Sequence, residues 1–144
     1  MNIEHVAIYV NNLEVEREFF VKYFGAKATE KYTNFQGDFT SYFLTFDNGS
    51  RFEIMHRTGM FDPEKEKYRS GYHHIALNVG GKNEVDALTN KLEDDGMVIV
   101  VAPRKTGDGY YASIVTDPEG NEIEILAGNH VWSDEEIVKE YGWF

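Results

Sequence analysis

The sequence predicts an α+β fold made of two copies of a βαβββ unit, and three observations lead there. First, Glu4-His5-Val6-Ala7-Ile8-Tyr9-Val10 and His73-His74-Ile75-Ala76-Leu77-Asn78-Val79 match as strand-like stretches, with His5 and His74 69 positions apart. Second, each is followed by a helical pattern that ends at a glycine, Gly25 in the first copy and Gly96 in the second. Third, each half closes on a turn feeding a strand with a glutamate among apolar residues. These are Asp47-Asn48-Gly49 leading to Glu53 and Asp117-Pro118-Glu119-Gly120 leading to Glu124, the two glutamates 71 apart.

Element by element, the first half is expected as strands at about 3–10, 27–34, 38–47 and 50–57. A helix at about 13–24 carries Phe19, Phe20, Tyr23 and Phe24. The second half gives strands at about 73–80, 97–102, 110–116 and 121–127. Its helix, at about 83–95, carries Val85, Leu88 and Leu92 at helical spacing. The domain boundaries that follow are one domain over 1–128, with repeat 1 over about 1–58 and repeat 2 over about 72–128. A polar linker at about 58–71 joins them, and a tail over 129–144 carries Ser133-Asp134-Glu135-Glu136, which can cap a short helix.

Composition narrows the function. The 144 residues carry 42% hydrophobic and 15% aromatic side chains, the balance of a globular domain. A net charge of −11 opposes non-specific nucleic-acid binding, which needs a basic face to displace counterions, and opposes an anionic membrane surface. No apolar run is long enough to span a bilayer, and no signal segment opens the chain, so a cytoplasmic protein is expected, with a small molecule or a protein as its partner. With no cysteine, any metal must be held by His, Asp and Glu.

Strand alternation singles out four such residues. His5, Ala7 and Tyr9 share a face, as do His74, Ala76 and Asn78, Arg51, Glu53 and Met55, and Glu122, Glu124 and Leu126. The opposite faces are apolar and suited to packing under helices. A carboxylate held within a sheet is costly unless paired or metal-bound. If the two units pair by approximate two-fold symmetry, His5, Glu53, His74 and Glu124 converge. Two imidazoles and two carboxylates neutralise a divalent ion, and they suit Zn, Ni, Co, Mn or Fe(II). On the same pattern His73 falls on the face opposite His74 as a structural hydrogen-bonding residue, and His56 and His130 are incidental. Arg51 shares the face of Glu53, where it either neutralises that carboxylate, meets an anionic substrate, or is a surface residue. Of Tyr110 and Tyr111, at most one lines a pocket. Trp132 and Trp143 cover an apolar patch or a neighbouring subunit.

In their settings of Glu-His-Val-Ala, Phe-Glu-Ile-Met, His-His-Ile-Ala-Leu and Asp-Pro-Glu-Gly-Asn-Glu-Ile-Glu-Ile, the four residues resemble the vicinal oxygen chelate superfamily, and within it glyoxalase I. The likeness extends to about residue 127. It implies paired βαβββ units forming an open barrel around one divalent metal (Ni, Zn, Co or Mn) and a homodimer in which His5 and Glu53 of one chain meet His74 and Glu124 of the other. It also implies a lyase or isomerase that moves a proton on a 2-oxoaldehyde–thiol hemithioacetal through an enediolate, as in methylglyoxal detoxification. Glu124 is then the base and Glu53 its counterpart. Fosfomycin-resistance enzymes of the superfamily use only His, His and Glu, and methylmalonyl-CoA epimerase usually has Gln at the Glu53 place. Ring-cleaving dioxygenases and non-catalytic drug-binding proteins are the further alternatives. Tyr9 and Arg57 stand where bacterial glyoxalase I has residues tied to glutathione, so the resemblance carries over the metal chemistry and not the glutathione substrate.

Overall fold

The computed structural model describes residues 1–128 together with Glu135 and Lys139. Of the helix expected after Ser133 only Glu135 and Lys139 are described, both helical, and the two tryptophans and His130 lie outside the described residues. The chain divides into two compact units, Met1–Lys65 and Glu66–Phe144, with the division inside the stretch between the repeats.

In the first unit, β1 (His5–Tyr9) leads through α1 (Leu13–Phe24) to β2 (Lys27–Ala28), β3 (Tyr32–Thr33), β4 (Phe39–Thr45) and β5 (Arg51–Arg57). The sheet order is β1-β5-β4-β2, with β3 also on β4. In the second, β6 (His74–Asn78) leads through α2 (Lys82–Asp94) to β7 (Ile99–Lys105), β8 (Tyr111–Thr116) and β9 (Glu122–Leu126), ordered β6-β9-β8-β7. Both sheets are open. In each, the first strand lies at one edge and runs parallel to the last, and the remaining pairs are antiparallel. The two-copy α+β reading therefore holds.

The helices start and stop where the sequence says. The Asn12 side chain accepts from the Val15 N–H at 3.2 Å to cap α1, and Gly25 ends it in the left-handed region at φ 65°. At α2 the Gly81 N–H donates to Glu84 Oε2 at 3.0 Å. Gly96, at φ 86°, follows the helix, and the Met97 N–H turns back to the Leu92 carbonyl at 2.9 Å. Phe20, Leu44, Phe52 and Ile54 pack between α1 and its sheet, with the Phe20 and Phe52 rings edge to face at 5.4 Å. Val85, Leu92, Val115, Ile123 and Ile125 do the same under α2, where Thr89 and Ser113 share a buried hydrogen bond of 2.7 Å.

Two elements differ from the sequence expectation. The strand expected over 27–34 is two short pieces, and the register against β4 slips by one residue between them. Thr29 causes the break: its hydroxyl accepts from the Phe43 N–H at 3.1 Å, taking a place a ladder partner would hold. The strand expected to end near 102 instead runs to Lys105 through Pro103, with register shifts against β8. It lies at the sheet edge, where a proline's missing N–H costs no ladder bond.

A phenol ties each helix to its sheet. Tyr42 donates to both Glu14 oxygens at 3.0 and 3.1 Å, with Lys31 on the same carboxylate at 3.0 Å. Tyr111 donates to Asp86 Oδ1 at 2.6 Å, and Lys82 meets Asp86 at 3.2 Å. The Glu14 carboxyl is held below its usual range, chiefly by Lys31, and that of Asp86 chiefly by Tyr111. Both phenols are pushed above the ordinary 10.0, first by burial and then by the hydrogen bond to the carboxylate.

Two outcomes follow from this packing. Asp117 is 3% exposed and accepts from the backbones of Glu119 and Asn121 and from the Asn121 side chain, which fixes the turn before β9. Asp117→Ala is therefore expected to lower the unfolding free energy by about 2 kcal/mol in urea titrations. The folded state also keeps the Tyr42 and Tyr111 protons to higher pH than the unfolded chain. Their contribution is complete below about pH 9 and is lost as pH rises through and beyond 10. Tyr42→Phe and Tyr111→Phe should each flatten the alkaline fall in stability measured by chemical denaturation against pH.

Candidate metal centre

The site residues take their positions from the parallel strand pairs. In a parallel ladder, paired residues share a face. In the first unit His5 pairs with Arg51 and Ala7 with Glu53. In the second His74 pairs with Glu122 and Ala76 with Glu124. Each glutamate thus lies one step along the ladder from its histidine, on the same face, with an alanine beside it on the histidine's strand and Phe43 or Ile114 on the other side. The gap over the alanine lets the two side chains approach. His5 Nε2 is 3.7 Å from Glu53 Oε1, and His74 Nε2 is 3.5 Å from Glu124 Oε2.

These spacings fit a shared ion better than a direct hydrogen bond. Two donors each about 2.1 Å from one ion sit about 3.0 Å apart at a right angle and about 3.4 Å apart at a tetrahedral one. Among the described residues no three His, Asp or Glu side chains gather into one metal-holding group. Each repeat contributes a pair.

The surroundings of the two histidines orient them. Glu4 Oε1 lies 3.1 Å from His5 Nδ1 and also accepts from Arg51 at 2.6 Å. A carboxylate only accepts, so Nδ1 is the donor to Glu4, and in a neutral ring this leaves the Nε2 lone pair toward Glu53. The Arg51 guanidinium lies 4.0 Å over the Phe43 ring, and that ring meets His5 edge-on at 5.1 Å. Arg51 is thus engaged by Glu4 and Phe43, an arrangement that face-sharing with Glu53 did not reveal.

His73 departs from its expected place. Its Nδ1 is 2.8 Å from His74 Nδ1, and its Nε2 is 2.9 Å from Glu122 Oε2. Alternation put it on the opposite face, yet β6 begins at His74, so His73 precedes the ladder and its ring is not bound by the strand's alternation. Glu122, two residues before Glu124 and paired with His74, belongs to the same cluster and was not singled out by its sequence setting.

Other residues are occupied. His56 Nδ1 contacts the Val10 carbonyl at 3.0 Å, a structural contact. Asn78 accepts from the Gly80 and Gly128 backbones, each at 3.0 Å. Tyr111 faces α2, leaving Tyr110 half-buried. Tyr9, on the His5 face, is 53% exposed, and Arg57 pairs with Asp38 at 3.5 Å.

The family model described as Glyoxalase/Bleomycin resistance protein/Dioxygenase superfamily matches residues 2–125. The chain belongs to this superfamily. It is 27% identical over 132 residues to the uncharacterized protein YqjT of Bacillus subtilis, covering 87% of this chain and 98% of that one. It is also 27% identical over 126 residues to a lactoylglutathione lyase of Neisseria meningitidis, covering 88% of this chain and 90% of the relative. Among solved structures, a glyoxylase/bleomycin resistance protein/dioxygenase domain from Frankia superposes with a TM-score of 0.75 at 13% identity, over 88% of this chain and 90% of that one. The trypanothione-dependent glyoxalase I of Leishmania major gives 0.71 at 22% identity, over 90% of this chain and 88% of its own. At those identities the structural likeness speaks for the fold. No helix among the described residues is long and apolar enough to cross a membrane.

Proposed function

We propose that this superfamily member is a metal-dependent, glyoxalase I-like lyase or isomerase acting on the hemithioacetal of a 2-oxoaldehyde and a thiol. The observation that carries the reading is the repeated His-to-Glu offset: Ala7 pairs with Glu53 and Ala76 with Glu124, each one ladder step from its histidine. A lone histidine in a strand has many uses. A carboxylate in the same relation to a histidine in both repeats, with donors 3.7 and 3.5 Å apart, is the provision expected for a shared divalent ion. The lactoylglutathione lyase relative points to the same reaction class.

In this reading His5 and Glu53 of one chain and His74 and Glu124 of another, in a homodimer, would hold the ion. That ion, Ni, Zn, Co or Mn, would supply Lewis-acid stabilisation of the negative charge that develops on the substrate. Glu124 takes the proton from the carbon bearing the hydroxyl and sulfur and returns it to the neighbouring carbonyl carbon. The aldehyde-derived carbon is thereby oxidised to a thioester and its neighbour reduced to an alcohol, with no external redox partner. Glu53 serves the opposite face. The two histidines, their Nδ1 atoms engaged by Glu4 and His73, offer Nε2 lone pairs and stay out of the proton transfer. Tyr9 is uncharged, and the Arg57 guanidinium has Asp38 beside it, so neither offers a free cation to glutathione's carboxylates. A different low-molecular-weight thiol is therefore the proposed carrier.

Protein purified without added metal should carry about one divalent ion per chain by plasma mass spectrometry, and Glu53→Gln and His74→Ala should lose it. The loaded protein should turn over methylglyoxal with a low-molecular-weight thiol, and Glu124→Gln should lower kcat/KM by about 10²–10⁴-fold. A wild type that stays metal-free after incubation with Ni, Zn, Co and Mn, or that is loaded yet inert with every thiol tried, would overturn the reading.

Shared sites between chains make a separate outcome. A chain carrying His5→Ala and Glu53→Gln and a chain carrying His74→Ala and Glu124→Gln should each be inactive alone. Unfolded together and refolded, they should recover activity through mixed dimers that rebuild one intact site. Absence of recovery, with mixed dimers present by native mass spectrometry, would place each site within one chain.

A further inference from the structure

We propose that His73, anchored by Glu122, is a positioning residue that sets the tautomer of His74 so that its Nε2 is the metal-binding atom; this rests on the proposed metal centre. His73 Nε2 lies 2.9 Å from Glu122 Oε2, and its Nδ1 lies 2.8 Å from His74 Nδ1. A bare Nε2 lone pair this close to the Glu122 carboxylate would be repelled by it, which favours the His73 proton on Nε2. In a neutral ring this leaves His73 Nδ1 as a lone-pair acceptor. Two nitrogens 2.8 Å apart then require a proton between them, and it belongs to His74 Nδ1. What remains on His74 is the Nε2 lone pair, 3.5 Å from Glu124 Oε2. The two rings stand nearly perpendicular, at 87° with centroids 5.1 Å apart, so His73 also fixes the plane in which His74 presents that lone pair.

The first repeat solves the same problem by another route. There Glu4 meets His5 Nδ1 directly at 3.1 Å while held by Arg51 at 2.6 Å. One histidine is oriented by an anion one residue upstream. The other is oriented by a neutral ring one residue upstream, with its anion one bond further out at Glu122. A hydrogen-bond acceptor on the second ring nitrogen is the general means of fixing a ligating histidine, and its loss typically weakens metal binding by about 10–100-fold. Residues 4 and 73 both directly precede their histidine, in line with the 69-residue offset of the repeat.

Nitrogen-15 NMR of histidine-labelled, metal-free protein together with Zn²⁺ and Ni²⁺ titration tests the idea. Wild type should show His74 protonated at Nδ1 and bare at Nε2. His73→Phe keeps a ring but has no acceptor, so it should move His74 toward the Nε2–H tautomer and weaken Zn²⁺ and Ni²⁺ binding by about 10–100-fold. His73→Asn, whose amide oxygen sits near the former Nδ1, should restore both the tautomer and most of the affinity. The His73 side chain is 47% exposed, so these variants spare the core, and matching thermal unfolding checks that. Unchanged tautomer and affinity in His73→Phe would overturn the proposal, as would a doubly protonated His73 donating to His74 in wild type. If wild type binds neither ion, the metal centre falls. The tautomer readings in the metal-free protein still decide whether His73 positions His74.

Discussion

The rest of the structure depends on the register of two parallel strand pairs. β1 lies on β5 and β6 lies on β9 so that, in both, the residue two after the histidine pairs with the glutamate. A slip of one residue would turn each carboxylate to the helix face, where Phe52, Ile54, Ile123 and Ile125 now form the core. The cost of burying a charge there and exposing those side chains holds the register firmly. The apolar core and the polar face are therefore enforced together. Packing under α1 and α2 keeps each histidine and glutamate on one side, within reach of each other.

That arrangement needs help from the chain on either side of the strands. Parallel partners are far apart in sequence, so β5 and β9 must be started at a fixed point. Asp117 does this for β9 by gathering backbone and side-chain donors at the turn, and the Asn48 side chain, accepting from Ser50 N–H at 3.0 Å, acts similarly before β5. On the helix side, Tyr42 and Tyr111 hold α1 and α2 to their sheets through carboxylates and lysines. The two tethers use different helix positions, Glu14 in the first turn of α1 and Asp86 in the second turn of α2. The repeats thus keep the ladder register of their histidine and glutamate while solving helix attachment separately.

Within the superfamily this balance of a fixed scaffold and variable surroundings matters for substrate choice. The His–Glu offset is common to both halves of the chain. The side chains around it are not: Tyr9 stands open on one face, whereas Asn78, at the matching place, is used up by the Gly80 and Gly128 backbones. A Cβ on Gly128 would come within 2.4 Å of Asn78, so that closure depends on a glycine. Function belongs to such local differences more than to the fold.

Much of this was legible in the residues. Apolar alternation, helix-ending glycines and paired turn motifs gave two βαβββ units, and a shared 69- to 71-residue offset pointed to His5, Glu53, His74 and Glu124. These are local properties: side-chain direction in an extended chain alternates whatever its neighbours do. Partner choice beyond the ladder is different, because it depends on which groups folding brings close. Only the tertiary structure broke the strand at Thr29, turned Arg51 to Glu4, and carried the His73 ring round to Glu122. His73 lies just outside β6, where alternation no longer constrains it, and Glu122 is 49 residues away along the chain. The sequence by itself determined which side the four in-strand donors face; the tertiary structure decided where His73 turns and which atoms of those donors are left free, because hydrogen-bond partners are set by distance in space and not by position along a strand.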